Sequence, residues 1–168
     1  AASDVYKRQV GRPSPRADPA GSDAAESVRE DNPGARVTML VSPAELVAVA
    51  KATITECSVH DVENCINENP IIIDIREPDE YRKGHIPGAI HLPRGMLEFE
   101  VHNLVNACRT DTAVSNADHP IVLYCGTGGR SALAAQCMES MGYTNVKSMA
   151  GGLVAWATAH LPLETPAA

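Results

Sequence analysis

Short apolar runs alternate with amphipathic stretches along most of the chain. Two of the runs, residues 71–75 and 121–124, consist almost entirely of Ile, Val, Leu and Tyr. Nearly continuous β-branched runs of this length are typical of parallel strands that are buried on both faces. Shorter extended stretches lie at residues 54–57, 89–92 and 146–149. The pattern predicts four or five short strands, with 71–75 near the centre of the sheet and 89–92 at an edge.

Helix-start and helix-stop signals separate these strands. Ser42 and Ser58 are each followed three positions later by an acidic residue, which is the pattern of a capping box at a helix N-terminus. Further helices are predicted after Pro78, over residues 95–108, over residues 131–141 with a stop at Gly142, and after Gly152 with Trp156 in the core. Strands that alternate with helices of about ten residues indicate an α/β domain with a mainly parallel central sheet.

The chain is predicted to divide into a tail and one folded domain. Residues 1–36 contain four of the 12 prolines and show no apolar periodicity, which is typical of a disordered segment. We therefore predict a disordered tail over residues 1–41 and an N-terminal helical segment over 42–54. The folded domain is expected over 55–162, followed by a C-terminal tail over 163–168.

The first nine residues suggest a second hypothesis about the tail. Residues 4–9 read Asp-Val-Tyr-Lys-Arg-Gln, and one codon set for them, GAT GTG TAT AAG AGA CAG, is the mosaic-end adapter of transposon-based sequencing libraries. We hypothesise that residues 1–9 are translated adapter and that the true N-terminus is missing or lies downstream, at Met39 for example. Finding the same codons after recovering the locus with a different library method would refute this.

Composition limits the classes of partner. The formal net charge is −7, which argues against nucleic acid or an anionic membrane surface as partner. We found no uninterrupted apolar run long enough to span a bilayer, so no membrane insertion is expected.

Cysteine usage bears on the compartment and on metal binding. The five cysteines are an odd number and contain no Cys-x-x-Cys pair, so neither a disulfide framework nor a metal site is expected. A reducing, cytoplasmic location is the simplest interpretation. A periplasmic location stays open if the true N-terminus is missing.

The candidate catalytic group is the thiol of Cys125, which directly follows the predicted strand 121–124. The loop after it is expected to bind an anion and consists of Gly126, Thr127, Gly128, Gly129, Arg130 and Ser131. Glycines allow the backbone to curl so that successive N–H groups point at one spot, and the N-terminus of the next helix points there too. Since such surroundings lower a thiol pKa by several units, the loop predicts a thiolate nucleophile beside an anion cradle.

Charged residues also follow the other central strand. Asp74 and Arg76 lie at the carboxyl end of the run 71–75, where open α/β sheets place their sites. Either residue could face a substrate or fasten loops by hydrogen bonds. For Asp74 we favour the structural role, whereas Arg76 is a secondary candidate for contact with an anionic substrate. A structural role is also expected for His85 and His91.

Several motifs occur together in a characteristic order. They are Asp74-Ile-Arg76-Glu77 with Glu80-Tyr81, Gly84-His-Ile-Pro-Gly-Ala89, Tyr124-Cys125 with Arg130 after a four-residue gap, and Gly151-Gly152 with Ala155-Trp156. Over residues 55–162 the chain resembles a single-domain rhodanese-type sulfurtransferase. The resemblance implies a five-stranded, mainly parallel sheet flanked by helices in three layers.

The resemblance also implies a reaction. Cys125 would take a sulfane sulfur from a small donor, with thiosulfate as the first expectation, and hold it as a persulfide. A thiol, cyanide or a protein cysteine would then accept the sulfur, in a double displacement without metal or organic cofactor. Arg130 would orient the donor anion, and Ser131 could donate a hydrogen bond.

Two alternatives keep the sulfur chemistry. Cys125-Gly-Thr-Gly128 resembles the Cys-Gly-Ser-Gly opening of 3-mercaptopyruvate sulfurtransferases, although those usually contain two rhodanese-like domains. A carrier that passes a persulfide to a protein partner is the other. Cys137 lies 12 residues after Cys125 and is expected in the core rather than as a resolving thiol.

Two further alternatives belong to other classes. Related phosphatases and arsenate reductases place five residues between Cys and Arg, and four separate Cys125 from Arg130 here. Because the shorter loop leaves less room for a tetrahedral phosphate, we expect this class least. Non-catalytic rhodanese-like binding modules commonly lack the cysteine, which this chain has.

Overall fold

The computed structural model describes residues 40–108 and 114–166. The predicted disordered tail and the hypothesised adapter fall almost wholly within residues 1–39, outside the described residues. Both therefore stay predictions.

Five strands lie within the described residues and form one parallel sheet. They are β1 Thr55–Cys57, β2 Ile71–Asp74, β3 Ile90–His91, β4 Ile121–Tyr124 and β5 Val146–Met149. The strand order is β1-β5-β4-β2-β3, and all four neighbouring pairs are parallel. Every residue of β2 and β4 is buried, as expected for parallel strands covered on both faces. The predicted parallel five-stranded fold is confirmed.

Helices cover both faces of the sheet. In chain order they are α1 Pro43–Lys51, α2 Val59–Cys65, α3 Pro78–Arg82, α4 Leu97–Cys108, α5 Gly129–Ser140 and α6 Gly152–Thr158, with short 3₁₀ turns at Ile66–Glu68 and Arg94–Met96. The predicted capping boxes open α1 at Ser42 and α2 at Ser58. None of these helices is long and apolar enough to cross a bilayer.

Alternation along the strands builds two hydrophobic cores. Ile73 and Leu123 project to one face, where they pack with buried residues of α4 and α5. Val122 and Tyr124 project to the other face and pack with α2 and with Trp156 of α6. Since successive side chains of a strand point to opposite faces, the two apolar runs supply both cores at once and produce the three layers.

The structure begins α5 two residues earlier than the sequence predicted. The helix starts at Gly129 rather than Ser131, and its N-cap is Gly128 with φ of +91°. Glycine adopts this left-handed backbone without the steric penalty of a side chain, so the chain turns from strand to helix in very few residues. Arg130 consequently lies in the first turn of the helix rather than in the loop.

The segment after α6 is attached to the domain by Glu164. His85 and Glu164 exchange two backbone hydrogen bonds of 2.9 Å, which form an isolated antiparallel bridge. The Glu164 side chain also accepts a hydrogen bond from the Gly88 backbone at 2.9 Å. These bonds secure the turn that leads into β3.

Two methionines near the end of α5 test the packing of the core. Met138 is fully buried against β2 and β4, whereas Met141 is 42% exposed. Met138→Ala should lower the free energy of unfolding by about 2–5 kcal/mol, because it leaves a cavity in the core. Met141→Ala should change it by less than about 0.5 kcal/mol. Urea denaturation of both variants measures the difference, and equal midpoints would contradict the packing described here.

Candidate active site

Cys125 lies at the carboxyl edge of the sheet, directly after β4. Strand β2, which pairs with β4, ends at the same edge, with Asp74 opposite Tyr124. The residue is only 1% exposed, and its Sγ accepts a hydrogen bond of 3.2 Å from the Gly128 backbone N–H. The sulfur therefore sits inside the turn between β4 and α5, with a backbone donor already directed at it.

The surroundings of the sulfur favour the thiolate. Burial by itself raises the pKa of the Cys125 thiol, because the charged form loses water. Hydrogen bonds from the backbone and hydroxyl of Ser131, and from the backbone N–H groups of Thr127 and Gly128, outweigh burial and leave the pKa lowered. The turn thus directs donors of Thr127, Gly128 and Ser131 at the Cys125 sulfur.

Ser131 belongs to a buried pair of hydroxyls. Its Oγ lies 3.3 Å from the Gly128 carbonyl oxygen and accepts a 2.9 Å hydrogen bond from Ser148 Oγ on β5. Both serines are fully buried. Because Ser148 donates to Ser131, the single Ser131 proton is free to point at either the Gly128 carbonyl or the Cys125 sulfur. The sequence offered no signal for Ser148, which joins the site through sheet pairing.

Arg130 already has a carboxylate partner. Its Nη1 and Nη2 atoms donate to Glu80 Oε2 and Oε1 at 2.7 and 2.8 Å, which is a two-point contact between α5 and α3. The arginine hydrogen bond is the main reason that the pKa of Glu80 falls to about 2. Glu80 belongs to the motif Glu80-Tyr81 quoted above. The sequence did not indicate its contact with Arg130, because the two residues are 50 positions apart.

Asp74 and Arg76 form a second ion pair, and this one is buried. Arg76 Nη2 donates to Asp74 Oδ2 and to the Gly84 carbonyl oxygen, both at 2.7 Å, and Nε lies 3.0 Å from both Asp74 oxygens. The two side chains are 0% and 6% exposed. This geometry favours the loop-fastening role for both residues over contact with a substrate.

The histidines of the same region stack on one tyrosine. The Tyr81 ring lies between His85 and His91, with centroid distances of 3.8 and 4.5 Å. His91 Nε2 is also 2.9 Å from the Arg76 carbonyl oxygen. The stack holds α3 against the turn before β3, and so supports the element that carries Glu80.

A sequence model of the rhodanese-like domain matches residues 58–159. The chain belongs to this family.

Known sulfurtransferases are among the relatives of this rhodanese-like chain. A curated protein from Allochromatium vinosum named sulfurtransferase is 31% identical over 99 residues, which cover 59% of this chain and 82% of that protein. A solved thiosulfate sulfurtransferase from Pseudomonas aeruginosa matches with 29% identity and a TM-score of 0.57, over 67% of this chain and 20% of that one. The family relationship thus supports a sulfurtransferase-type protein.

A third relative carries a different description. A protein of unknown function from Rhodopseudomonas palustris, described as a possible tyrosine phosphatase, is 30% identical with a TM-score of 0.62. The match covers 78% of this chain and 100% of that one.

The remaining candidate groups of the rhodanese-like domain lie apart from the turn. Cys137 Sγ donates to Glu98 Oε1 of α4 at 3.0 Å, and this contact is the main reason that the pKa of Cys137 is raised. Its thiol is therefore directed at another helix. No group of three or more potential metal ligands was found within residues 40–108 and 114–166.

A cavity lies away from the candidate nucleophile. It has a volume of about 300 Å³ and is lined by residues at the amino ends of β4 and β5, including Pro120, Ile121 and Asn145. Cys125 follows the opposite end of β4. The chemistry of the turn, rather than the size of the cavity, identifies the candidate site.

The turn depends on a close backbone approach by α6. Leu153 and Val154 donate backbone hydrogen bonds of 2.8 and 3.0 Å to the carbonyl oxygens of Cys125 and Gly126. A Cβ at Gly152 would lie 2.4 Å from the Cys125 carbonyl oxygen, and the φ of Gly152 is +56°. In the sequence, Gly152 marks only a helix start and part of a motif, because its approach to Cys125 arises from tertiary packing.

Gly152→Ala should disrupt this approach. Left-handed strain and overpacking each cost about 1–3 kcal/mol, so we expect a loss of about 2–5 kcal/mol in the free energy of unfolding. Gly95→Ala is the matched control, because a Cβ there would have no neighbour within 4 Å. Urea denaturation compares the two, and a Gly152→Ala variant as stable as Gly95→Ala would show that α6 does not constrain the turn.

Ser131→Ala should shift the titration of Cys125. Removing a donor to the thiolate raises the thiol pKa, so the thiolate should appear at higher pH than in the wild type. The ultraviolet absorbance of the thiolate against pH, with Cys125→Ser as the blank, measures this. Ser140→Ala on the exposed end of α5 should leave the curve unchanged, and an unshifted curve for Ser131→Ala would remove Ser131 from the site.

Proposed function

We propose that this rhodanese-like protein is a sulfurtransferase that carries a sulfane sulfur on Cys125 from thiosulfate to a thiol or to cyanide. The observation that carries the proposal is the buried Cys125 sulfur, which accepts the Gly128 N–H bond and has a lowered pKa. A thiolate held among donors is both a nucleophile and, after sulfur transfer, a stabilised persulfide anion.

The reaction proceeds in two balanced displacements. In the first, the Cys125 thiolate attacks the outer sulfur of thiosulfate, the bond between the two sulfurs of the donor breaks, and sulfite leaves with the electron pair. The product is a Cys125 persulfide anion. In the second, cyanide or a thiolate attacks the outer persulfide sulfur, which releases thiocyanate or a new persulfide and restores the Cys125 thiolate. Ping-pong kinetics follow from this order.

The residues of the turn have separate roles in this scheme. The N–H groups of Thr127 and Gly128 and the Ser131 hydroxyl stabilise negative charge on sulfur. Arg130 lies in the first turn of α5 and is the cationic residue of the sequence from Cys125 to Ser131. In this scheme it orients the donor anion. Asp74 and Arg76 keep the neighbouring strand end in place.

Thiosulfate is the proposed donor on two grounds. The solved thiosulfate sulfurtransferase from Pseudomonas aeruginosa is 29% identical to this chain where they align. The cradle of N–H groups also suits an anionic donor. 3-Mercaptopyruvate stays the second choice because of the Cys125-Gly-Thr-Gly128 opening, and a protein cysteine is a further acceptor within the same mechanism.

The phosphatase description of the Rhodopseudomonas palustris relative raises a rival for the same cysteine. Only four residues separate Cys125 from Arg130, and Arg130 is held by Glu80 rather than turned freely into the loop. Both features favour a compact sulfur adduct over a tetrahedral phosphate. Phosphatase activity is therefore not proposed.

Incubation with thiosulfate in the absence of an acceptor should add one sulfur atom to the protein. Intact mass spectrometry measures the gain, and addition of cyanide should reverse it with release of thiocyanate. Cys125→Ser should show no gain. Cys137→Ser should gain sulfur as the wild type does, because Cys137 faces Glu98 on α4.

The other outcomes of this experiment separate the alternatives. A gain with 3-mercaptopyruvate but not with thiosulfate would keep the mechanism and change the donor. A gain that persists in Cys125→Ser would assign the chemistry to another cysteine. No gain with either donor, although Cys125 still titrates as a thiolate, would contradict the proposal and favour a binding module.

A further inference from the structure

The Glu80–Arg130 pair lies beside the residue that follows the nucleophile. A Cβ at Gly126 would be 3.4 Å from Arg130 Nη2 and 4.0 Å from Glu80 Oε1. Glu80 is the main reason that the pKa of Arg130 is raised, and the charge of Cys125 raises it further. Glu80, like Arg130, is consequently part of the electrostatic surroundings of the reacting sulfur.

The charges of Cys125, Arg130 and Glu80 together disfavour the binding of a doubly negative ligand. The loop sequence from Cys125 to Ser131 contains one cationic residue, Arg130. Its guanidinium is bound at two points by Glu80, and Arg76 is committed to Asp74 in the buried pair. With Cys125 ionised, one cation at the loop faces two anions. A dianion that approaches the thiolate is therefore repelled more strongly than a monoanion.

We propose that Glu80 determines donor specificity: by occupying Arg130, its carboxylate selects against doubly charged sulfur donors and favours donors with a single negative charge. This inference rests on the proposed sulfur transfer through Cys125. Thiosulfate then remains a donor of the wild type, at a rate that the Glu80 charge limits. Glu80 is a specificity-determining residue that acts through Arg130, not a group that reacts with sulfur.

The helix contacts of Glu80 allow its charge to be removed without rebuilding α3. Glu80 Oε2 accepts a 3.1 Å hydrogen bond from the Glu77 backbone N–H in the capping box. Gln is also a common residue at this position of a capping box. The Glu80 and Arg130 side chains are 37% and 41% exposed, and ion pairs this open contribute little to stability. Glu80→Gln should therefore fold normally and change mainly the charge.

Two donors that transfer the same kind of terminal sulfur, but differ in charge, provide the measurement. Thiosulfate carries two negative charges, and methanethiosulfonate carries one because a methyl group replaces an anionic oxygen. Each gives its terminal sulfur to the Cys125 thiolate by cleavage of its sulfur–sulfur bond. Sulfite leaves from the first and methanesulfinate from the second, and both steps conserve charge. The ratio of kcat/KM for the two donors, with cyanide as acceptor, reports the effect of donor charge.

Glu80→Gln should raise kcat/KM for thiosulfate roughly five- to tenfold, mainly through a lower KM. It should raise kcat/KM for methanethiosulfonate only about two- to threefold, because a monoanion feels half the repulsion. Glu56→Gln is the matched control, since Glu56 on strand β1 is a partly exposed carboxylate in an ion pair with Lys51 of α1. The donor ratio of Glu56→Gln should equal that of the wild type. Urea denaturation confirms that both variants are folded.

A second measurement varies the ionic strength. Added salt screens repulsion between charges, so the ratio of thiosulfate to methanethiosulfonate activity in the wild type should rise with ionic strength. The rise should be smaller in Glu80→Gln.

The outcomes distinguish this inference from the proposed function. If neither donor adds a sulfur to wild-type Cys125, the proposed function fails and the inference falls with it. If sulfur is transferred but Glu80→Gln keeps the wild-type donor ratio, the inference alone is wrong. Equal losses with both donors in Glu80→Gln would likewise show that Glu80 only holds Arg130 in position.

Discussion

Burial of the Cys125 sulfur at the end of β4 carries a free-energy cost whenever the thiol ionises, because the thiolate gives up its water. The turn offsets this cost with donors from Thr127, Gly128 and Ser131. Those donors converge only because Gly128 adopts a left-handed backbone and α5 begins one residue later. The backbone of α6 then closes the other side by bonding to the Cys125 carbonyl. Sheet, turn and two helices thus form one position where hydrogen-bond donors replace the water that an anion loses on burial.

The two arginines at this edge of the sheet differ in how far their ion pairs are exposed to water. Arg76 is almost fully buried, is bound by Asp74 and the Gly84 carbonyl, and fastens the end of β2. Such a pair is costly to break, because either partner alone would be a buried, uncompensated charge. Arg130 and Glu80 are partly exposed, so water screens their ion pair and the pair contributes little to stability. The charge of Glu80 can therefore be changed without unfolding the domain, whereas that of Asp74 cannot.

Residues outside the matched family region also support the turn. Helix α1 precedes residues 58–159 yet packs against α5. A Cβ at Gly129 would lie 3.6 Å from Val47 Cγ2, so the start of α5 is close to α1. Thr53 adds a 3.3 Å hydrogen bond from Gln136. In this chain the N-terminal helix contributes to the surface beside the first turn of α5, and thereby to the setting of Arg130.

The sequence by itself determined the strands, most helices, the parallel sheet and the candidate nucleophile. These features depend on local patterns: β-branched runs, capping residues, and a cysteine followed by glycines and an arginine. Tertiary structure decided the partners, namely Glu80 for Arg130, Ser148 for Ser131 and the Leu153 backbone N–H for the Cys125 carbonyl. It also brought Arg130 into helix α5. Each of these contacts joins residues far apart in the chain, and their distance and direction follow from how strands and helices pack rather than from any local pattern.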